Sequence, residues 1–143
     1  MLVDANLLIY AHDDSSPHHE AARSWLEGRL NEPRRVGIPW VSVIAFLRLT
    51  TNPRVSADPS TPDEAWGHVD SWFTSPSAWI PQPTSRHAEV LRGLVVGHGL
   101  TANLISDAHL AALAIEHGLE ICSADSDFAR FHEVRWYNPL RRG

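Results

Sequence analysis

No lysine occurs anywhere in the 143 residues; all twelve cationic side chains are arginine. That absence excludes receiver domains and haloacid-dehalogenase-like phosphatases, which also use acidic strand ends in a doubly wound sheet but rely on a lysine beside the phosphate. Neither G-x-G-x-x-G nor the Walker pattern is present, which argues against a nucleotide cradle. The single cysteine, Cys122, has no partner for an internal disulfide. Met1 to Tyr10 contains Asp4, lacks a basic leader and is too short an apolar run for secretion or membrane spanning, so a cytoplasmic protein is expected. Net charge is −5, with 17 acidic and 12 basic side chains, so no global positive field draws the chain onto phosphate backbones. Any nucleic-acid contact must be local. No Asp or Glu occurs from Pro33 to Ala57.

What is present suits one domain over residues 1–143, with 43% hydrophobic residues to build a core. Leu2 to Ala11 is nearly continuous apolar sequence, interrupted by Asp4 and Asn6, and reads as a buried strand running into a helix or turn. Helical spacing of Ala21, Ala22, Trp25, Leu26 and Leu30 predicts a helix over 18–30, and Arg35 to Ile38 a second strand. Pro39 opens a helix over 40–51 that is apolar almost all round except Arg48, so this helix should be buried and Arg48 should need a partner. Thr61-Pro62 with Glu64 is a capping signature for a helix carrying Trp66, Val69, Trp72 and Phe73. Strands at 78–80, 119–123 and 135–137, a helix over 85–96, a helix beginning between Asn103 and Ser106 and ending at Gly118, and a short helical turn at 128–131 complete the pattern. Strands alternating with helices predict a parallel sheet covered on both faces.

Ligands in such sheets bind beyond the carboxyl ends of the strands, and Asp4 and Asp125 lie at or just past two such ends. Asp4 and Asp107 are embedded in apolar sequence, where an unpartnered carboxylate costs several kcal/mol, so each calls for a cation, a hydrogen-bond network or a raised pKa. A divalent ion satisfies several at once, and Mg²⁺ or Mn²⁺ with oxygen ligands suits phosphodiester hydrolysis without a protein nucleophile. The plainer readings are helix caps: Asp4 after a strand, Asp107 at its helix start, and Asp127 ahead of Phe128-Ala129-Arg130.

Asp4-Ala5-Asn6, Phe46-Leu47-Arg48-Leu49-Thr50-Thr51, the run from Asp107 to Ala114, the run from Asp125 to Phe131 and the closing Trp136-Tyr137-Asn138-Pro139-Leu140 together resemble a PIN domain of the VapC-toxin type. The resemblance covers nearly the whole chain. It implies a three-layer α/β/α sandwich with a central, mainly parallel sheet, Mg²⁺- or Mn²⁺-dependent cleavage of single-stranded or loop RNA, homodimerisation, and inhibition by a cognate VapB-type antitoxin. Carried over by residue, the metal ligands and catalytic acids fall on Asp4, Asp107 and Asp125. Asp127 becomes an auxiliary acid, Asn6 the residue that orients Asp4, and Arg48 a further auxiliary residue. One departure is Ala45, where PIN domains commonly carry Glu, which weighs against a two-metal mechanism. The alternative is a catalytically silent PIN fold that only binds partners.

The nine histidines raise the question of zinc, through His18-His19-Glu20 or His109 with His117. No HExxH or cysteine pair accompanies them, and eight residues of helix separate the latter pair by roughly 12 Å, at about 1.5 Å per residue. They read as surface or core residues. Cys122, on an apolar strand, reads as a small buried side chain. Arg23, Arg34, Arg35, Arg54 and Arg130 are weaker candidates than Arg48 for phosphate contact.

Overall fold

A computed structural model of the protein describes residues 1–141. Strand β1 is Leu2–Val3 and gives way at once to helix α1, Ala5–His12. The apolar run is therefore mostly helix, because Asp4 adopts extended backbone and accepts the Ala5 N–H at 2.8 Å, which starts a helix at the first polar residue. Helix α2 (His19–Leu30), strand β2 (Val36–Gly37), helix α3 (Trp40–Thr50), helix α4 (Pro62–Phe73), strand β3 (Ala78–Trp79), helix α5 (His87–Gly97), helix α6 (Leu104–His117), strand β4 (Ile121–Cys122), a 3₁₀ turn (Ser126–Arg130) and strand β5 (Trp136–Tyr137) follow. Thr61 and Glu64 form the expected reciprocal capping box on α4. Gly118 ends α6 in the left-handed region, with φ 65°, where a side chain would be strained.

All strand pairs are parallel, and the order across the sheet is β3-β2-β1-β4-β5. Register pairs Leu2 with Ile121 and Val3 with Cys122. Successive residues of a strand face opposite sides. Leu2 and Ile121 thus enter a core with Leu94, Ala108, Leu110, Leu113, Phe128 and Phe131, beneath α5, α6 and the 3₁₀ turn. Val3 and Cys122 enter a second core with Leu7, Leu8, Leu26, Val43, Phe46, Val69 and Trp72, beneath α1 to α4. This is the expected three-layer sandwich. At Gly37 a Cβ would lie 2.7 Å from the Pro81 ring and 3.1 Å from the Met1 carbonyl, so the close packing of β2 excludes a side chain there.

Helix α3 departs from expectation. Trp40 and Ile44 are 43% and 58% exposed, and Arg48, one further turn along, is exposed without an ion pair or hydrogen bond among the described residues. The partner expected of Arg48 is absent because its helix is buried on one side only, through Ser42, Val43, Phe46 and Thr50. No helix among the described residues is long and apolar enough to cross a membrane.

Candidate active site

Chain order changes direction across the sheet between β1 and β4, and at such a switch point the loops leaving two neighbouring strands diverge to open a crevice. Asp4 leaves β1 there, and Ser123, Ala124 and Asp125 leave β4. Asp107 reaches the same place from the first turn of α6, and Asp127 from the 3₁₀ turn. One carboxylate oxygen from each of Asp107, Asp125 and Asp127 lies within 4.8 Å of the others. This all-oxygen, triply anionic set fits a hard divalent cation such as Mg²⁺ or Mn²⁺.

Asp4 stands beside this trio and not within it. Its carboxylate accepts the Ala5 N–H at 2.8 Å, the Ser123 hydroxyl at 2.7 Å and the Asn6 amide at 3.3 Å. Burial, with a smaller contribution from the Asp125 charge, raises its pKa, and the Ser123 and Ala5 hydrogen bonds oppose that rise. Asp4 is therefore both the N-cap of α1 and a neighbour of the acidic cluster. Asn6 closes the arrangement by donating to the Ser123 hydroxyl at 3.1 Å and accepting the Ala124 N–H at 3.2 Å, which ties α1 to the β4 exit.

Asp107 carries the strongest electrostatic signature. Desolvation first, then the charges of Asp125, Asp4 and Asp127, push its pKa up to about 6, with Arg130 the opposing influence. Like charges crowded against a half-buried carboxylate penalise ionisation, and a divalent cation reverses that penalty. Asn103 sits at the N-cap of α6, so Asp107 is not its cap. Asp125, and not Asp127, caps the 3₁₀ turn, accepting the Asp127 N–H at 2.9 Å. That leaves the Asp127 carboxylate exposed, 3.5 Å from the Arg130 guanidinium.

Ser123 is the residue that sequence reading passed over. It is fully buried, holds Asp4 through its hydroxyl and accepts the Asp125 N–H at 3.0 Å, so a single oxygen fixes two of the acids. A small polar residue two positions before an acid at the end of an apolar strand was the available signal. The histidines considered for zinc do not converge. His109 bonds His87 at 3.1 Å, and burial followed by the His87 neighbour lowers its pKa. His117 contacts the Gln82 carbonyl, and His19 the Tyr10 carbonyl. Cys122 is buried, and burial first of all pushes its thiol up to about 12, leaving it inert.

Comparison with known proteins bears on the family and the fold. Residues 1–134 match the PIN domain. The sequence is 46% identical over 138 residues to Ribonuclease VapC37 of Mycobacterium tuberculosis, covering 96% of each chain. It is 39% identical over 140 residues to Ribonuclease VapC43 of the same organism, covering 98% of this chain and 95% of that one. Among solved structures, M. tuberculosis VapC20, described as a sarcin–ricin loop cleaving toxin, matches with a TM-score of 0.67 at 18% identity, covering 94% of this chain and 98% of that one. A chain of Rickettsia felis VapBC2 bound to a promoter DNA fragment matches with a TM-score of 0.69 at 14% identity, covering 96% of each chain. The structural matches speak to the fold. The family match over residues 1–134 and the sequence identities lead to one assignment: the chain belongs to the PIN-domain family, among the VapC ribonucleases.

Proposed function

We propose that this chain is a Mg²⁺- or Mn²⁺-dependent endoribonuclease that cleaves single-stranded or loop RNA and acts as the toxin of a toxin–antitoxin pair. The observation that carries this reading is the carboxylate trio of Asp107, Asp125 and Asp127, with Asp4 beside it, at the β1/β4 switch point. Asp107 and Asp125 hold the cation, Asp127 supplies the further oxygen, and Asp4 completes the anionic wall. When bound, the divalent ion supplies an acidified water and charge neutralisation for phosphodiester hydrolysis. The protein's own part is positional. Ser123 and Asn6 lock the Asp4 carboxylate, the Asp125 cap fixes the 3₁₀ turn, and the 3₁₀ turn presents Asp127. Arg130, the cation that faces Asp107 electrostatically, is better placed than Arg48 to meet an RNA phosphate.

A VapB-type antitoxin would inhibit by crossing this cleft and directing a basic side chain into the carboxylates, which the formal charge of −5 favours. Trp40 and Ile44, exposed one turn apart on α3, support homodimerisation. The decisive experiment incubates the purified chain, free of antitoxin, with a mixed RNA pool. Cleavage should require Mg²⁺ or Mn²⁺ and stop with chelator. An intact pool under both cations would leave a silent PIN-fold binding protein.

A further inference from the structure

Outside the acidic cleft, His98 at the C-cap of α5 and the adjacent pair His132 and Glu133 after the 3₁₀ turn bring three ligand atoms within 4.8 Å of one another. The His98 Nε2 lies 2.9 and 3.1 Å from the two Glu133 oxygens, and the His132 Nδ1 lies 3.2 Å from Glu133 Oε1. We propose that His98, His132 and Glu133 form a second cation site, selective for Zn²⁺ or a similar transition metal and separate from the carboxylate cluster.

The donor set decides the metal class. Two imidazoles and one carboxylate suit zinc, cobalt or nickel and match magnesium poorly. Spacing agrees with this. Ligand atoms about 2.0–2.2 Å from a tetrahedral zinc stand roughly 3.4 Å apart, a small outward step from the present His–Glu separations. Preorganisation supports it as well: the His98 ring packs edge-on against buried Phe131, with centroids 5.4 Å apart, and its side chain is only 20% exposed. His132 is 82% exposed and free to turn inward. Three protein ligands leave a position for water, the pattern of an accessible site. Sequence distance hides the set, because His98 and Glu133 are 35 residues apart. Once bound, the ion would tether the end of α5 to the segment that follows the 3₁₀ turn carrying Asp127, and so brace one wall of the acidic cleft from outside it.

Titration of the full chain with Co²⁺ reads the site directly. A low-coordinate ion with nitrogen ligands absorbs visible light much more strongly than an octahedral ion among oxygens, so the two sites are spectroscopically distinct. One saturating equivalent of the strong band is expected in the parent chain and in Asp107→Asn, with displacement by Zn²⁺ but not by excess Mg²⁺. His98→Gln and His132→Gln should each remove it, while circular dichroism shows that the fold is kept. No saturable band in the parent chain, a band that survives both histidine substitutions, or one that Mg²⁺ displaces would each overturn the assignment.

Discussion

Replacing Asp107 by Asn should stabilise the protein when divalent ions are chelated, while abolishing the activity that those ions support. The folded environment raises the Asp107 pKa from 3.8 to about 6, so its ionised form is disfavoured in the fold. About two pKa units, at roughly 1.36 kcal/mol each, set an upper bound near 3 kcal/mol. Solvent screening of a half-exposed group reduces that to about 1.5 kcal/mol. Its place in the first turn of α6 is favourable by about 0.5 kcal/mol, which the neutral amide forfeits, leaving a net gain of about 1 kcal/mol. For a chain of this size that corresponds to a rise of roughly 3 °C in Tm. The direction with pH follows from the raised pKa. Between 3.8 and about 6 the folded state holds the proton more tightly than the unfolded state, so chelated wild type loses stability as pH rises through that window. The gain from Asp107→Asn should be complete at pH 7.5, smaller at pH 5 and absent near pH 4. Thermal melts in EDTA at the three pH values test this, and adding Mg²⁺ should raise the wild-type Tm and leave the variant unmoved. A variant that is less stable than wild type in EDTA at pH 7.5, or a gain independent of pH, would refute the electrostatic argument.

Three further outcomes are expected. Ala45 lies one helical turn beyond Ser42, whose hydroxyl donates to the Val3 carbonyl at 2.7 Å, so Ala45→Glu should add a carboxylate beside the cluster and tighten Mn²⁺ binding about tenfold, or roughly 1.4 kcal/mol; a folded variant with unchanged calorimetric affinity would show that Ala45 faces elsewhere. Ser123→Ala removes the hydroxyl shared by Asp4, Asn6 and Asp125, at a cost of about 1–3 kcal/mol in stability and a larger loss in kcat than in KM, and an unaltered kcat would remove Ser123 from the positioning role. A structure with the antitoxin should show its chain across the cleft and a basic side chain near Asp107 and Asp125; a partner seated far from both would contradict that mode of inhibition.

The element pattern was legible because it is local. Thr61 and Glu64, Pro39, and Gly118 act through bonds within a few residues, so the ends of α4, α3 and α6 follow from spacing alone. Apolar runs around Asp4 and Asp107 marked these acids as out of place, the position of Asp125 just past a strand end marked the third, and the run of motifs carried the resemblance to the family. Tertiary structure decided how the acids divide. Asp127 joins Asp107 and Asp125, while Asp4 is held to one side by Ser123, 119 residues away in sequence. Only the fold could show that contact, because a lone serine at a strand end carries no periodic signal until the parallel pairing of β1 with β4 brings its hydroxyl to the Asp4 carboxylate. The same holds for Arg48, whose exposure depends on which side of α3 the sheet covers, and for His98 with Glu133, which meet only because α5 and the 3₁₀ turn pack over one core.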